Sequence, residues 1–584
     1  MNMKQVKFTS LQSKGPTFPK PFDGNVGQYW KIGGEPLSDL ATEMLWKAAR
    51  FIGSDYEKEA FTPDNNMWLC LKPELTKNQQ KMKWPQDFRS ILVTMKDEQE
   101  QDKLRNKNRT KEEKLAEKAA KDKIKEEFLF AELDGKIVKM ANFQIEPANW
   151  ILTRGADPRK FLWKYEVKKS DVTINIVGFP KVAADLEKNG FSVKADNTAM
   201  WAMKFKMYCG PHTNGKPDFP KCCHFNKTIG FHGEADIRQK AITGKFDKAS
   251  DILKNWNKIQ AKVLADATNC SLKKTPKHEA LIVYLIQETG IRVGGGRDSN
   301  RQAMTYGIST LEGRHVTLDK NGFTVTFNFL GKDSVPETRT ISIDENVWYN
   351  LESLLSYRDA NERIFNEDVD VNGYLKKLHK GATVKNLRTV KCNEVLVNNL
   401  KIKKITKSNT EAEKLRAIFE ANLEIAKQLN HQKNVGKNQK EGEQKIAERI
   451  AKAQTRVKEL KKKHKEKIVK LDAQAEKFKV AFKGLKILKE KLANIEEQKV
   501  KLVIQMEKAK LSIEKTELAL DKKKLTKDIS LGTSLANYAD YRILKSYCDE
   551  IGLPMERVFT ATQMVTISKL VENTPITYWR TYPS

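Results

Sequence analysis

Five residues could together perform chemistry that none performs alone: Tyr538, Arg292, Lys332, Arg388 and His431. Tyr538 sits in the stretch Leu535-Ala-Asn-Tyr-Ala-Asp-Tyr-Arg-Ile543 near the C-terminus. A phenol has a pKa near ~10 and is a weak nucleophile until neighbouring cations favour the phenolate. Tyr538 is therefore the candidate nucleophile, and two arginines, a lysine and a histidine are the candidate cations. Each cation also has a plainer reading. Arg292 leaves a helix beside Gly294-Gly-Gly296, where an arginine commonly caps a C-terminus. Lys332 lies at a turn, and Arg388 and His431 lie near helix ends.

The elements that must position these residues are legible from periodicity. The run Ala280-Leu-Ile-Val-Tyr-Leu-Ile286 is apolar all round, which predicts a buried helix from Lys277 to Ile291 that delivers Arg292. Phe323-Thr-Val-Thr-Phe-Asn-Phe329 and Arg339-Thr-Ile-Ser-Ile343 alternate apolar and polar residues, predicting a β-hairpin with Lys332 near its tip. A compact ammonium on a rigid hairpin could enter a groove or donate a proton, or simply be solvated. Helical spacing resumes through Trp348, Leu351, Leu354 and Leu355. A further helix is led by Lys385-Asn-Leu-Arg388-Thr389, and another runs from about Thr410 to His431.

The charge balance favours a polyanionic partner, nucleic acid or an acidic membrane surface: Lys+Arg number 106 against 75 Asp+Glu, a formal +31 with pI near 9.5. Nothing approaches an apolar run long enough to span a bilayer, and the N-terminus has no signal-peptide core. Seven cysteines, an odd number, do not suggest a disulfide framework in 584 residues. A soluble protein of a reducing intracellular compartment is the expectation.

Ahead of the hairpin, Ser13 to Phe22 is too rich in proline for helix and predicts an extended segment. Residues 36–96 have helical spacing, with Trp84 and Phe88 packing later. Residues 96–128 are dense in Lys and Glu, and Thr110-Lys-Glu-Glu113 has the form of a capping box; a solvated helix is the expectation and a basic arm over DNA the sharper reading. Val172 to Val177 and Ala199 to Phe205 predict strands of an α+β lobe. Cys209, His212, Cys222, Cys223, His224 and His232 are zinc-ligand types, but their spacing matches no common site, so thiols and surface histidines in a loop insertion are expected and no metal. Residues 441–530 contain no proline and carry 26 Lys/Arg against 15 Asp/Glu, with recurring apolar positions such as Ile446, Ile450 and Leu460. Two long antiparallel helices are expected, turning near Gly484. Lys461-Lys-Lys-His-Lys-Glu-Lys467 reads as a solvated helix face, with nuclear import as the other use.

Taken in order, these pieces resemble the eukaryotic type IB DNA topoisomerases over almost the whole chain. The motifs are Lys14-Gly-Pro16 with Phe18, Asn142-Phe-Gln-Ile-Glu-Pro147, Phe329-Leu-Gly-Lys-Asp-Ser334, Arg388-Thr389, Asn430-His-Gln432, Leu531-Gly-Thr-Ser534 with Asn537-Tyr538, and Gly552-Leu-Pro554. The resemblance implies an α+β multidomain clamp on duplex DNA: an N-terminal lobe over 1–233, a mainly helical catalytic domain over 234–435 of the kind shared with tyrosine recombinases, a coiled-coil linker over 436–527 and a C-terminal domain over 528–584. It implies that Tyr538 attacks a backbone phosphate to form a 3′-phosphotyrosyl link, with Arg292, Arg388 and His431 on the phosphate oxygens and Lys332 protonating the leaving 5′-oxygen. Arg154, Asp333, Lys385 and Asn537 match further positions at the DNA. Strand rotation and resealing then relax supercoils without ATP, metal or other cofactor, and with strong salt dependence. A monomer with double-stranded DNA as partner and no membrane association is implied.

The chain departs from the family's pattern at Gly295-Gly296, where Asn-Glu is usual, and at Tyr541, where proline is usual; Tyr541 is expected to be a packing residue. The long basic N-terminal extension typical of nuclear members is not seen before Lys14, so a cytoplasmic, virus-encoded enzyme stands beside a nuclear one. A tyrosine recombinase shares the catalytic residue types but is not expected to carry the Lys14-Gly-Pro16 lobe or the linker. An inactive DNA-binding homologue would not need all five residues.

Overall fold

The computed structural model describes residues 6–22, 30–213, 216–217, 223–269, 274–295, 303–433, 439–483 and 486–583. The fold is mixed α/β, and the chain divides into two compact units. The first comprises residues up to 244 together with 294–306 and 329–336. The second comprises 245–293, 307–328 and 337–584.

In the first unit two apolar cores lie behind different elements. One gathers Met44, Leu45, Met67, Leu71, Phe88, Leu92 and Met95 beneath the helices Asp39–Ala49, Asn66–Leu71 and Arg89–Asn108. Its aromatic part includes the stacked pair Trp68 and Trp84, with Phe88 edge-on to Trp68. The other core gathers Leu11, Ile145, Val172, Ile174, Met203, Phe205 and Ile229 against a six-stranded sheet. At its centre Trp201–Cys209 pairs antiparallel with Val172–Asn175, with Trp163–Lys164 and with Cys223–Gly230. The two expected strands are thus present with shifted bounds, because the alternating burial of Trp201–Cys209 continues past Phe205. The cysteine-rich stretch corrects the loop expectation. Cys209 and His212 lie on strands, Cys223 and His224 open another, and Cys222 lies outside the described residues.

The extended opening segment is anchored by Leu11–Ser13 pairing with Phe130–Leu133 and by Thr17 bridging to Gln144. The helix Lys111–Phe128 buries no residue and starts at a reciprocal Thr110/Glu113 capping box, as its charge pattern predicts.

In the second unit the helix Lys274–Thr289 is buried along Ala280–Val283 and Leu285–Ile286. The Thr324–Gly331 and Val335–Ser342 strands are present, with their turn-side residues 329–336 counted in the first unit, and a third strand, Val316–Asp319, pairs antiparallel with Thr324–Phe327. That third strand was missed because four residues interrupted by Thr317 and ending in Asp319 carry little periodic signal.

The helices Gln439–Ala481 and Ile487–Leu525 lie side by side. Asp472 pairs with Lys499 at 2.7 Å, His464 meets Gln505 at 3.2 Å, and Gln454 reaches Glu517 at 3.5 Å. Residue number rises on one helix as it falls on the other, so they run antiparallel around Leu471, Ile495 and Leu502. Gly484 lies outside the described residues. The ion pairs Lys515–Glu411 and Arg416–Asp521, each 2.8 Å, tie the returning helix to Glu411–Gln428.

Candidate active site

Four of the five singled-out residues converge in the second unit, and the backbone explains why. The helix Lys274–Thr289 ends at Gly290, whose φ of +68° only glycine adopts cheaply, and a Cβ there would lie 2.7 Å from the Gln428 carbonyl. This close approach sets the chain end carrying Arg292 against the end of Glu411–Gln428. Arg339 stitches the junction by donating to the carbonyls of Thr289, Gln428 (2.9 Å) and Lys427 (3.0 Å).

Beyond Leu429, Asn430 takes a left-handed conformation at φ 49° and turns His431 inward. The His431 carbonyl accepts from Ser530 N–H at 2.6 Å and Gln432 bridges to Ile529, which brings the short helix Leu531–Asn537 alongside. Ser534 Oγ lies 2.8 Å from His431 Nδ1. Tyr538 follows as the helix cap, with its ring 5.4 Å from the His431 ring and 5.4 Å from the Arg388 guanidinium carbon.

Arg388 lies within the helix Val384–Lys403 and is buried. It donates from Nη1 to the Gly290 carbonyl and from Nη2 to the Leu429 carbonyl at 2.9 Å, while its Nε–H has no hydrogen-bond partner among the described residues. A guanidinium so braced is fixed in orientation with donor capacity to spare.

Burial works against ionising Tyr538, but the charges and hydrogen bonds of Arg388 and Arg292 outweigh it, and the phenol is more acidic than an ordinary tyrosine. The same surroundings act oppositely on His431. Burial first, then the Arg388 and Arg292 charges, push its pKa down to about 3, so at neutral pH it is an uncharged imidazole. With Nδ1 engaged by Ser534, its buried Nε2 has no partner among the described residues and is available as a neutral donor. Arg388 is itself held below its usual pKa by burial and by Arg292.

Tyr541 does not share this environment. Its hydroxyl donates to the Ala536 carbonyl at 2.8 Å, its ring packs edge-on to Phe246 and Phe559, and burial raises its pKa. It is a packing residue, as expected. Asn537 is exposed and its carbonyl accepts from Lys245 Nζ at 2.8 Å; Lys385 is exposed on the first turn of its helix.

Three predicted positions belong to the first unit. Lys332 and Asp333 are exposed at the hairpin turn, where Asp333 and Ser334 take left-handed conformations at φ 64° and 55°. Ser334 Oγ donates to the carbonyl of the exposed Arg154 at 3.2 Å, so these positions form one surface.

Sequence reading passed over Glu337 and gave Ser534 no role. Glu337 is buried, bonded by Asn430 Nδ2, and its pKa is raised by burial against the pull of Arg339, Arg388 and Arg292. Its only sequence signal was an acidic residue at an inward position of an alternating strand. Ser534 was visible within Leu531-Gly-Thr-Ser534, without any hint that it would orient the histidine.

Three family profiles match the chain in order. "Eukaryotic DNA topoisomerase I, DNA binding fragment" covers 6–211, "Eukaryotic DNA topoisomerase I, catalytic core" covers 234–464, and "C-terminal topoisomerase domain" covers 510–568. The chain belongs to the eukaryotic DNA topoisomerase I family. Curated relatives named DNA topoisomerase 1 include those of Drosophila melanogaster (27% identical, 96% of this chain, 53% of the relative) and Caenorhabditis elegans (29%, 95% and 66%). A third is the Homo sapiens protein, 26% identical over 96% of this chain and 70% of its own length. The chain thus spans between about half and two thirds of the first two. In topoisomerase I terms, Arg292, Arg388 and His431 fall within the catalytic-core match, and Tyr538 within the C-terminal match.

Proposed function

We propose that this chain is a type IB DNA topoisomerase that relaxes positive and negative supercoils by cutting one strand of a duplex, allowing rotation and resealing the cut. The observation that carries the proposal is Tyr538, acidified by two arginines and set beside a neutral histidine in a chain of this family. Tyr538 Oη attacks a backbone phosphorus, the bond to the 5′-oxygen breaks, and the strand remains attached through a 3′-phosphotyrosyl link. Arg388, Arg292 and the neutral His431 donate to the non-bridging oxygens, where negative charge grows in the transition state.

Lys332 is the proposed general acid for the departing 5′-oxygen. Its position on a turn fixed by strand pairing supports a positioned donor rather than a trailing side chain. Arg154, Asp333, Lys385 and Asn537 are the proposed DNA contacts. Because the covalent link retains the phosphodiester's energy, the freed hydroxyl reseals the strand without ATP. A protein clamp closing on duplex DNA as a monomer, the two long helices acting as a coiled-coil linker, and a nuclear site of action complete the reading. One relative is named as mitochondrial, so the family's names include an organellar form.

The test is covalent trapping. Incubated with a nicked duplex labelled at the 5′ end of the cleaved strand, whose short 5′-hydroxyl product diffuses away, the wild-type chain should retain labelled DNA through denaturation on a peptide containing Tyr538, and Tyr538→Phe should retain none. Label on the Tyr541 peptide would refute the assignment, and absence of label on the wild type would refute the activity.

A further inference from the structure

We propose that Cys209 and Cys223 are a dithiol pair that closes to a reversible disulfide under oxidation, an oxidation site in the DNA-binding fragment. The two residues stand directly opposite each other in the antiparallel pairing of Trp201–Cys209 with Cys223–Gly230. Opposed residues of such a pair have Cα atoms roughly 4.5–5.5 Å apart, within the roughly 4.4–6.8 Å that a disulfide spans. The side chains already face each other, with the two sulfurs 2.8 Å apart and Cys209 Sγ also 3.4 Å from the Cys223 carbonyl. No backbone movement is needed to bring them together.

Exposure and charge divide the work. Cys209 is buried and Cys223 is half-buried, so an oxidant reaches Cys223 first. The Arg159 guanidinium, held by the buried Asp157 carboxylate at 2.7 and 3.0 Å, interacts electrostatically with both sulfurs. A fixed cation beside a thiol favours the reactive thiolate. Cys70, whose sulfur accepts from Trp163 N–H at 3.4 Å, lies on a helix rather than on either of these two strands.

With a peroxide as oxidant the steps balance. The Cys223 thiolate attacks one peroxide oxygen, giving a sulfenic acid and, after protonation, one water. Cys209 sulfur then attacks the Cys223 sulfur, the S–O bond breaks, and the hydroxyl leaves as a second water using the Cys209 proton. The two thiols lose two electrons and the peroxide gains them; a dithiol reductant reverses the bond by exchange. In a reducing compartment the pair rests as thiols, and an oxidant pulse staples the two strand ends, enclosing residues 210–222.

The experiment treats the full chain with hydrogen peroxide, blocks remaining thiols with iodoacetamide and maps peptides by mass spectrometry with and without dithiothreitol. The expected result is one linked peptide pair joining Cys209 to Cys223, reversed by dithiothreitol, present in Cys70→Ser and absent from Cys223→Ser. Cys223 is half-buried, so that variant should fold, which a melting curve checks. Linkage of Cys223 to Cys70, linkage through Cys222, or oxidation of Cys223 to sulfinic acid without linkage overturns the proposal. So does zinc co-purifying with the chain and protecting both thiols from peroxide until a chelator is added, because the sulfurs are then metal ligands.

Discussion

Replacing Arg388 separates the two jobs its guanidinium holds. Two of its five N–H donors bond the Gly290 and Leu429 carbonyls, Nε–H has no partner among the described residues, and the group lies 5.4 Å from the Tyr538 ring. In Arg388→Lys a single ammonium can satisfy one carbonyl and retain the charge, but it cannot hold both carbonyls and still present an ordered edge to phosphate. Losing one preorganised donor at a developing oxyanion typically costs about 10²–10³ in rate, or about 2.7–4 kcal/mol. Arg388→Lys should therefore slow single-turnover cleavage by on the order of 10²–10³. Arg388→Ala should slow it further and also lower stability, because two buried carbonyls are left unpaired at about 1–3 kcal/mol each. The assay is single-turnover cleavage of a nicked duplex, with urea unfolding beside it. If Arg388→Lys cleaves within about threefold of wild type, a point charge suffices and the argument from the fixed fork fails.

His431→Gln keeps a neutral donor and should lose on the order of tenfold in cleavage, against roughly a hundredfold for His431→Ala; equal losses would show that the imidazole acts as more than a donor. Because the folded pKa of His431 is about 3 against an ordinary 6.5, the unfolded chain binds a proton between those values that the folded chain does not. Stability should thus fall as pH drops through that window, and the slope measured by urea unfolding should be shallower in His431→Gln. Tyr541→Phe removes only a bond to a carbonyl, so unfolding should shift by about 0.5–1.5 kcal/mol while cleavage stays near wild type. Lys332→Ala should slow cleavage by about 10²–10⁴ on an ordinary duplex. The loss should largely vanish when the leaving 5′-oxygen is replaced by sulfur, because a thiolate departs without a proton. Persistence of the loss on that substrate would remove Lys332 from the general-acid role.

The fold was most readable where burial imposes a period. The all-apolar run Ala280–Ile286 announced a buried helix, and alternation from Phe323 to Ile343 announced the hairpin that holds Lys332 at its turn. Thr110 and Glu113 marked a helix start to the residue because a capping box is a local reciprocal bond. Short elements escaped: Val316–Asp319 is too brief to show alternation, and Cys223–Gly230 was hidden behind cysteine and histidine types that invite a metal reading. Of the candidate site, the residues whose types carry charge were visible, whereas their braces were not. Nothing in the chain near Ser534 or Glu337 points to His431 or Arg388, because those partnerships come from contacts between residues about a hundred positions apart or linked through Asn430. The acidity of Tyr538 and the neutrality of His431 are likewise properties of packing, set by how far two arginines and the surrounding burial reach.

The central claim is that Tyr538 drives ATP-independent relaxation by cutting one strand, allowing rotation and resealing the cut. It is tested most directly by relaxation of supercoiled plasmid in EDTA without ATP, comparing the wild-type chain with Tyr538→Phe. The account predicts full relaxation of both positively and negatively supercoiled plasmid by the wild type and none by the variant. Relaxation by both proteins, or by neither, would contradict it.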